Sequence, residues 1–179
     1  MFLNKSRSTL LLCSTLISGL LVGCSTTDAP NQNNLETSMN GEMLRNGQFV
    51  NGNDDWWVAG GKLAVKGTEG CINVTKPGSK PWDVILGQGG SGLIKGASYT
   101  LAFTARANID TSFKAIIQHE GAPYTKYFSK DVSVTSKATP FSFTFTQQEK
   151  SDPKTDFQLQ LGAQKQAMIC VSNLSLTKG

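Results

Sequence analysis

The stretch that most constrains the fold is Pro81 to Ala107, PWDVILGQGGSGLIKGASYTLAFTARA. In its second half Tyr99, Leu101, Phe103, Ala105 and Ala107 alternate with Thr100, Ala102, Thr104 and Arg106. That two-residue period is the signature of a strand with one face on a core. Pro81 to Leu86 is a second strand candidate. Gly87, Gly89, Gly90, Gly92 and Gly96 lie between the two and predict a glycine-rich bend of turn and bulge residues, because glycine tolerates positive φ. They do not read as a phosphate cradle, since the chain has no G-x-x-x-x-G-K-[ST] and no helical pattern follows.

The rest of the chain repeats the theme. Lys62 to Lys66, Cys71 to Thr75, Ser112 to Gln118, Tyr124 to Phe128, Phe141 to Thr146, Phe157 to Leu161 and Ala167 to Leu176 all read as short strands separated by turn signals. No segment carries a capped 3.6-residue stripe. Such spacing predicts an all-β chain, an antiparallel β-sandwich of two sheets packed face to face. Leu44 to Trp57 opens the domain with two Asn-Gly turns around Phe49, and Phe49 with one of Trp56 or Trp57 is expected to enter the core. Asp54 and Asp55 are adjacent, so their side chains diverge; they read as a solvated turn rather than a glycosidase pair.

The first residues follow a different logic. Lys5 and Arg7 precede an apolar run from Leu10 to Val22 that is short for a membrane span, and Leu21-Val22-Gly23-Cys24 comes next. That tetrapeptide resembles the bacterial lipobox. The resemblance implies a signal peptide over residues 1–23, with Cys24 as the lipidated first residue of the mature chain; a secreted protein with a free Cys24 thiol is the alternative. Ser25 rather than Asp after the cysteine resembles outer-membrane sorting if the host is Gram-negative, and the lipobox implies a lipid-anchored protein of the cell envelope. Residues 24–43 are polar and aperiodic and read as a flexible tether, with a folded domain over 44–179. About twenty such residues span roughly 25 Å.

Loss of Lys5 and Arg7, and of no acid, takes the formal charge from +4 to +2. No basic run with interleaved aromatics is present, which argues against nucleic acid as a partner. With Cys13 removed and Cys24 acylated, Cys71 and Cys170 remain in an oxidising compartment and are expected to form a disulfide. A metal-binding pair is the alternative, poorly served by a single histidine and no C-x-x-C.

Surface positions carry the functional signal. Phe157, Leu159 and Leu161 should face inward, leaving Asp156, Gln158 and Gln160 on the opposite face; Lys114, Ile116 and Gln118 share a face in the same way. Planar amides both donate and accept, as sugar hydroxyls do. Trp82, Tyr124 and Tyr127 lie near turns or strand ends, where a ring can stack on a pyranose. Together they suggest a carbohydrate cleft, although solvated strands with half-buried aromatics would carry the same residue types.

NGQF, the tryptophans after it, PWDVILGQGG, LIKGASYTLAFTARA, GAPYTKYF, FSFTFT, FQLQLG and CVSNLSL occur in that order. This succession resembles carbohydrate-binding modules of the family 4/9/22 type, which are often appended to bacterial cellulases, laminarinases and xylanases. The resemblance covers about Leu44 to Lys178 and implies a jelly-roll sandwich with a ligand groove across one concave sheet. It puts Trp82 and Tyr124 at sugar-stacking positions, Lys114 near a basic groove residue and Gln160 on a groove amide. His119 falls where a polar amide is common, and Gln88 and Gln118 are further groove positions. Gly60 departs from members that carry an aromatic there. Cys71 and Cys170 match a cysteine pair of some members. The family's structural calcium site has an acid after NGxF and an aspartate pair near the last strand; here Val50 and Ser172-Asn173 stand in those places, so calcium is expected to be weakened or absent. The expectation is a monomeric, non-catalytic, cofactor-free binder of polysaccharide or oligosaccharide chains (β-glucan, cellulose-like, β-1,3-glucan or xylan) that supports glycoside hydrolases. The competing readings are a structural or protein-binding lipoprotein on the same fold, and a glycoside hydrolase using carboxylates among Glu120, Asp131, Asp152 and Asp156.

Overall fold

The computed structural model describes residues 41–179; the expected signal peptide, Cys24 and residues 24–40 of the tether lie outside the described residues. The strands are β1 (Trp57–Ala59), β2 (Leu63–Lys66), β3 (Glu69–Val74), β4 (Ile85–Leu93), β5 (Ser98–Ala107), β6 (Thr111–His119), β7 (Lys126–Val134), β8 (Thr139–Thr146), β9 (Asp152–Gln160) and β10 (Ala167–Lys178). They form two five-stranded antiparallel sheets, ordered β1-β4-β9-β6-β7 and β2-β3-β10-β5-β8. The expected all-β sandwich is thus the observed fold.

Alternation builds the core. Leu86, Phe113, Ala115, Ile117, Phe157 and Leu159 of the first sheet meet Ile72, Leu101, Phe103, Ala105, Ile169 and Leu176 of the second. Phe103 and Phe113 face each other across the sheets at 6.3 Å, and Phe128 lies 5.0 Å from Phe145. Fully burying a ring such as Phe103 or Phe113 stabilises by about 1.5–3 kcal/mol. Glu42 closes the N-terminal side: it bridges to Thr177, and its carboxylate accepts from the amides of Met43, Leu44 and Leu176. The folded domain therefore includes residues before Leu44. Cys71 and Cys170 form the expected disulfide, between directly opposed residues of β3 and β10. The bridge sits on the outer face of the second sheet beside the Arg106–Glu69 ion pair.

Three local expectations are corrected. Pro81–Asp83 is a 3-10 turn rather than a strand, held by the Asp83 carboxylate accepting from the Ser79 and Lys80 amides at 2.8 and 2.9 Å. The glycines do not form the bend: β4 runs through Gly87, Gly89, Gly90 and Gly92, and Gly96 alone of the five lies in the turn to β5. Pairing with β9 persists through register shifts after Gly89 and Ser91, and Gly90 takes φ +87° in this bulged stretch. Tyr124 is not in a strand. It has φ +57° in the loop that follows β6, and β7 starts at Lys126. Of the paired tryptophans, Trp56 enters the core and its indole donates to the Asn46 carbonyl at 3.0 Å, whereas Trp57 remains 38% exposed.

Candidate functional site

Strand register puts three transverse rows of side chains on the outer face of the first sheet. Ile85, Gln160, Lys114 and Asp131 form one row; Trp57, Gly87, Gln158, Ile116 and Ser129 the next; Gly89, Asp156, Gln118 and Lys126 the third. The amide-bearing face expected from FQLQLG and FKAIIQ therefore exists as one surface. A groove of about 650 Å³ opens on it, lined by Trp82, Ile85, Gln118, Pro123, Tyr124, Lys126, Gln158 and Gln160.

The groove floor is unusual in being polar and buried at once. Gln118, Asp156, Gln158 and Gln160 are all buried. Desolvated polar groups are costly unless paired, and along β9 most are. The Gln160 amide donates to Gln158 Oε1 at 2.7 Å, and the Gln158 amide donates to Asp156 Oδ2 at 2.9 Å. Two acceptors remain without partners, Asp156 Oδ1 and Gln160 Oε1. Burial pushes the Asp156 carboxyl above its ordinary range; the Gln158 hydrogen bond opposes this, and the neighbouring Glu120 charge adds to it.

Two aromatic rings stand over this floor. Trp82, from the 3-10 turn, is 52% exposed, and Tyr124, from the β6–β7 loop, is 57% exposed. Ile85 supplies the apolar part of the lining. Trp57, outside that lining, adds a third ring to the same sheet face and lies over Gly87 so closely that a β-carbon there would fall 2.3 Å from it. Sequence reasoning left Trp57 undecided between core and surface. Its pairing with Gly87, whose bare backbone admits an indole, is the signal that identifies it. Pro123, in the loop with Tyr124, and Lys126, at the start of β7, were also missed.

Several expected site residues lie elsewhere. Gln88 has the opposite parity to Gly87 and Gly89. Its side chain is turned inward, where it accepts from the Arg45 amide at 2.6 Å and donates to the Arg45 carbonyl at 2.8 Å, clamping the N-terminal segment. His119 shares the inward parity of Ala115 and Ile117, and its Nδ1 pairs with Asp152 at 2.7 Å. Tyr127 leaves the groove face at a bulge opposite Gln118 and donates to the same Asp152 carboxylate at 2.8 Å. Burial would push the Asp152 carboxyl up, but hydrogen bonds from the Lys154 amide, His119 and Tyr127 outweigh it and hold the carboxyl below its usual range. The Tyr127 hydroxyl is pushed up to about 12 by burial and by Asp152. Lys114 is on the groove face, but its ammonium is engaged by Asp131 at 2.6 Å. Val50, where the resemblance expects an acid for calcium, offers no side-chain oxygen.

An antiparallel sandwich that presents an open groove, floored by glutamines and flanked by exposed indole and phenol rings, defines a class of groove-bearing β-sandwich binding domains. The chain belongs to the carbohydrate binding domain family CBM_4_9, whose family model matches residues 41–167. It is 27% identical over 134 residues to endoglucanase C of Cellulomonas fimi, a match that covers 70% of this chain and 12% of that enzyme. The chain thus spans about an eighth of that relative. Among solved structures, it resembles one described as "CBM4 structure and function" (TM-score 0.68, 23% identity, 76% of this chain and 99% of that one). It also resembles the second N-terminal cellulose-binding domain of Cellulomonas fimi β-1,4-glucanase C (TM-score 0.65, 22% identity, 77% of this chain and 94% of that one). These similarities extend the agreement in fold.

Proposed function

We propose that this protein is a non-catalytic glycan-binding protein that takes single polysaccharide or oligosaccharide chains of the β-glucan type into the groove. The observation that carries the reading is the buried glutamine ladder, with an unpaired acceptor, beneath exposed aromatic rings. Sugar hydroxyls satisfy such acceptors, and the C–H faces of pyranoses cover such rings. A shallow groove loses part of its gain to desolvation and chain ordering, so dissociation constants on the order of 10 µM to 1 mM are expected. Membership of a carbohydrate-binding family and the cellulose-binding relatives support the ligand class.

A hydrolytic role fits three of the four candidate carboxylates poorly. Asp152 is saturated by His119, Tyr127 and Lys154, Asp131 pairs with Lys114, and Asp156 is capped by Gln158. Lipidation at Cys24 would hold the domain at the envelope, where it would concentrate glycan for hydrolases acting nearby. Affinity electrophoresis of the mature chain through gels containing mixed-linkage β-glucan, β-1,3-glucan, soluble cellulose derivatives or xylan tests the reading. Retardation by at least one, without release of reducing sugar, is expected. Migration unchanged in all of them would favour a structural or protein-binding role, and sugar release abolished by replacing one carboxylate would establish an enzyme.

A further inference from the structure

We propose that Asp156 is the positioning residue of the groove: its carboxylate fixes the direction of the Gln158 and Gln160 amides, so that Gln160 presents an oxygen acceptor to the sugar instead of an N–H donor. The proposal deepens the glycan-binding reading and rests on it.

Asp156, Gln158 and Gln160 occupy alternate positions of one strand, on one face. An ionised carboxylate can only accept, so Gln158 must turn its amide nitrogen toward Asp156, as it does at 2.9 Å. The planar amide then directs the Gln158 oxygen the other way, where Gln160 donates to it at 2.7 Å. Gln160 Oε1 is left over, unpaired on a residue only 4% exposed. Turning the ladder round would set an amide oxygen against a carboxylate oxygen, which is repulsive. Hydrogen bonds in such a chain also polarise one another, so a preference imposed at one end reaches the other.

The surroundings of Asp156 leave this role to it. Gly89 of β4 offers no side chain, and Gln118 of β6 is neutral. The charged groups nearby are Glu120, whose carboxylate lies beside Gly89; His119, held by Asp152; Arg45, which pairs with Asp55 and reaches the Gly89 carbonyl; and Lys126, opposite Gln118 on β7. Of these, the Asp156 carboxylate alone accepts from the ladder. A protonated Asp156 can donate as well as accept, and the ladder then loses its fixed direction. Glycan affinity is accordingly highest while Asp156 is ionised and declines as pH falls through its titration, which burial moves above the ordinary carboxylate range.

Asp156→Asn separates this role from a structural one, because asparagine matches the shape yet can offer either group to Gln158. Titration calorimetry with soluble β-glucan should show about fivefold weaker binding, the worth of one hydrogen bond. The variant's affinity should also lose the part of the pH dependence that Asp156 contributes, which burial places above the ordinary carboxylate range. Its melting temperature at neutral pH should hold or rise, since a buried charge has been removed. In the unmodified protein, the side-chain amide NMR signals of Gln158 and Gln160 should move together as Asp156 titrates. Equal affinity and an identical pH profile in the variant would overturn the proposal, as would glutamine signals indifferent to Asp156. The NMR arm needs no glycan, so a protein that binds no glycan yet shows coupled glutamine signals would defeat the functional reading and leave the ladder intact.

Discussion

Replacing Gly87 by valine should disable the groove while leaving the sandwich folded. The β-carbon would fall 2.3, 2.6 and 2.8 Å from three carbons of the Trp57 indole. Carbon atoms settle at about 3.5 Å or more, so the ring must retreat by about 1.2 Å even before the valine methyls are added. It has room to do so: Trp57 lies on a three-residue edge strand paired only with β4 and is already 38% exposed. The strain is therefore relieved by displacing the ring, at a cost of about 1–2 kcal/mol of stability. Binding should suffer in proportion more, because the displaced indole and the new methyls both intrude on the row that contains Gln158. We expect at least about a tenfold loss of β-glucan affinity, or 1.4 kcal/mol, measured by titration calorimetry beside a thermal melt. Wild-type affinity together with a shifted tryptophan emission would show that Trp57 has no part in the groove. A loss of stability well above 3 kcal/mol would show that the ring cannot move as argued.

Other outcomes follow from the same geometry. Converting Cys71 and Cys170 to alanine should cost about 2–4 kcal/mol in chemical denaturation without weakening binding, since the bridge joins β3 and β10 of the opposite sheet. Asp152 is held below the ordinary carboxylate range, so its contribution to stability is present above that range and is lost as pH falls through its depressed value. Melting curves of Asp152→Asn should lie below wild type at neutral pH and converge with it in acid. Chelation of divalent ions should leave melting and glycan binding unchanged, because Val50 and Ser172-Asn173 replace the expected acids; a calcium-dependent melt would refute that expectation.

The parts of this molecule legible in its sequence are those governed by strict alternation. Phe157, Leu159 and Leu161 declare the inward face of β9, and with it the shared face of Asp156, Gln158 and Gln160. Tyr99 to Ala107 declares β5 in the same way. Parity also separates Gln88 and His119 from the groove, for Gln88 alternates in phase with Leu86, and His119 with Ala115 and Ile117; both were assigned by resemblance instead. Tyr127 was not legible, because a bulge opposite Gln118 reverses its face and bulges leave no periodic trace. The run of β4 through its glycines was hidden for a tertiary reason: Gly87 is small because an indole from another strand covers it. The burial of the glutamines was likewise invisible, since amides on a strand face read as solvated until a ladder is seen to satisfy them.

The central claim is that the groove beneath Trp82 and Tyr124 binds a glycan chain, and titration calorimetry with a soluble β-glucan on wild type and on Trp82→Ala/Tyr124→Ala tests it most directly. Both rings are more than half exposed, so their removal should leave melting largely unchanged. The account predicts a measurable dissociation constant for wild type, on the order of 10 µM to 1 mM, and binding weakened beyond detection in the double variant. Undiminished binding by the double variant, with its fold intact, would contradict it.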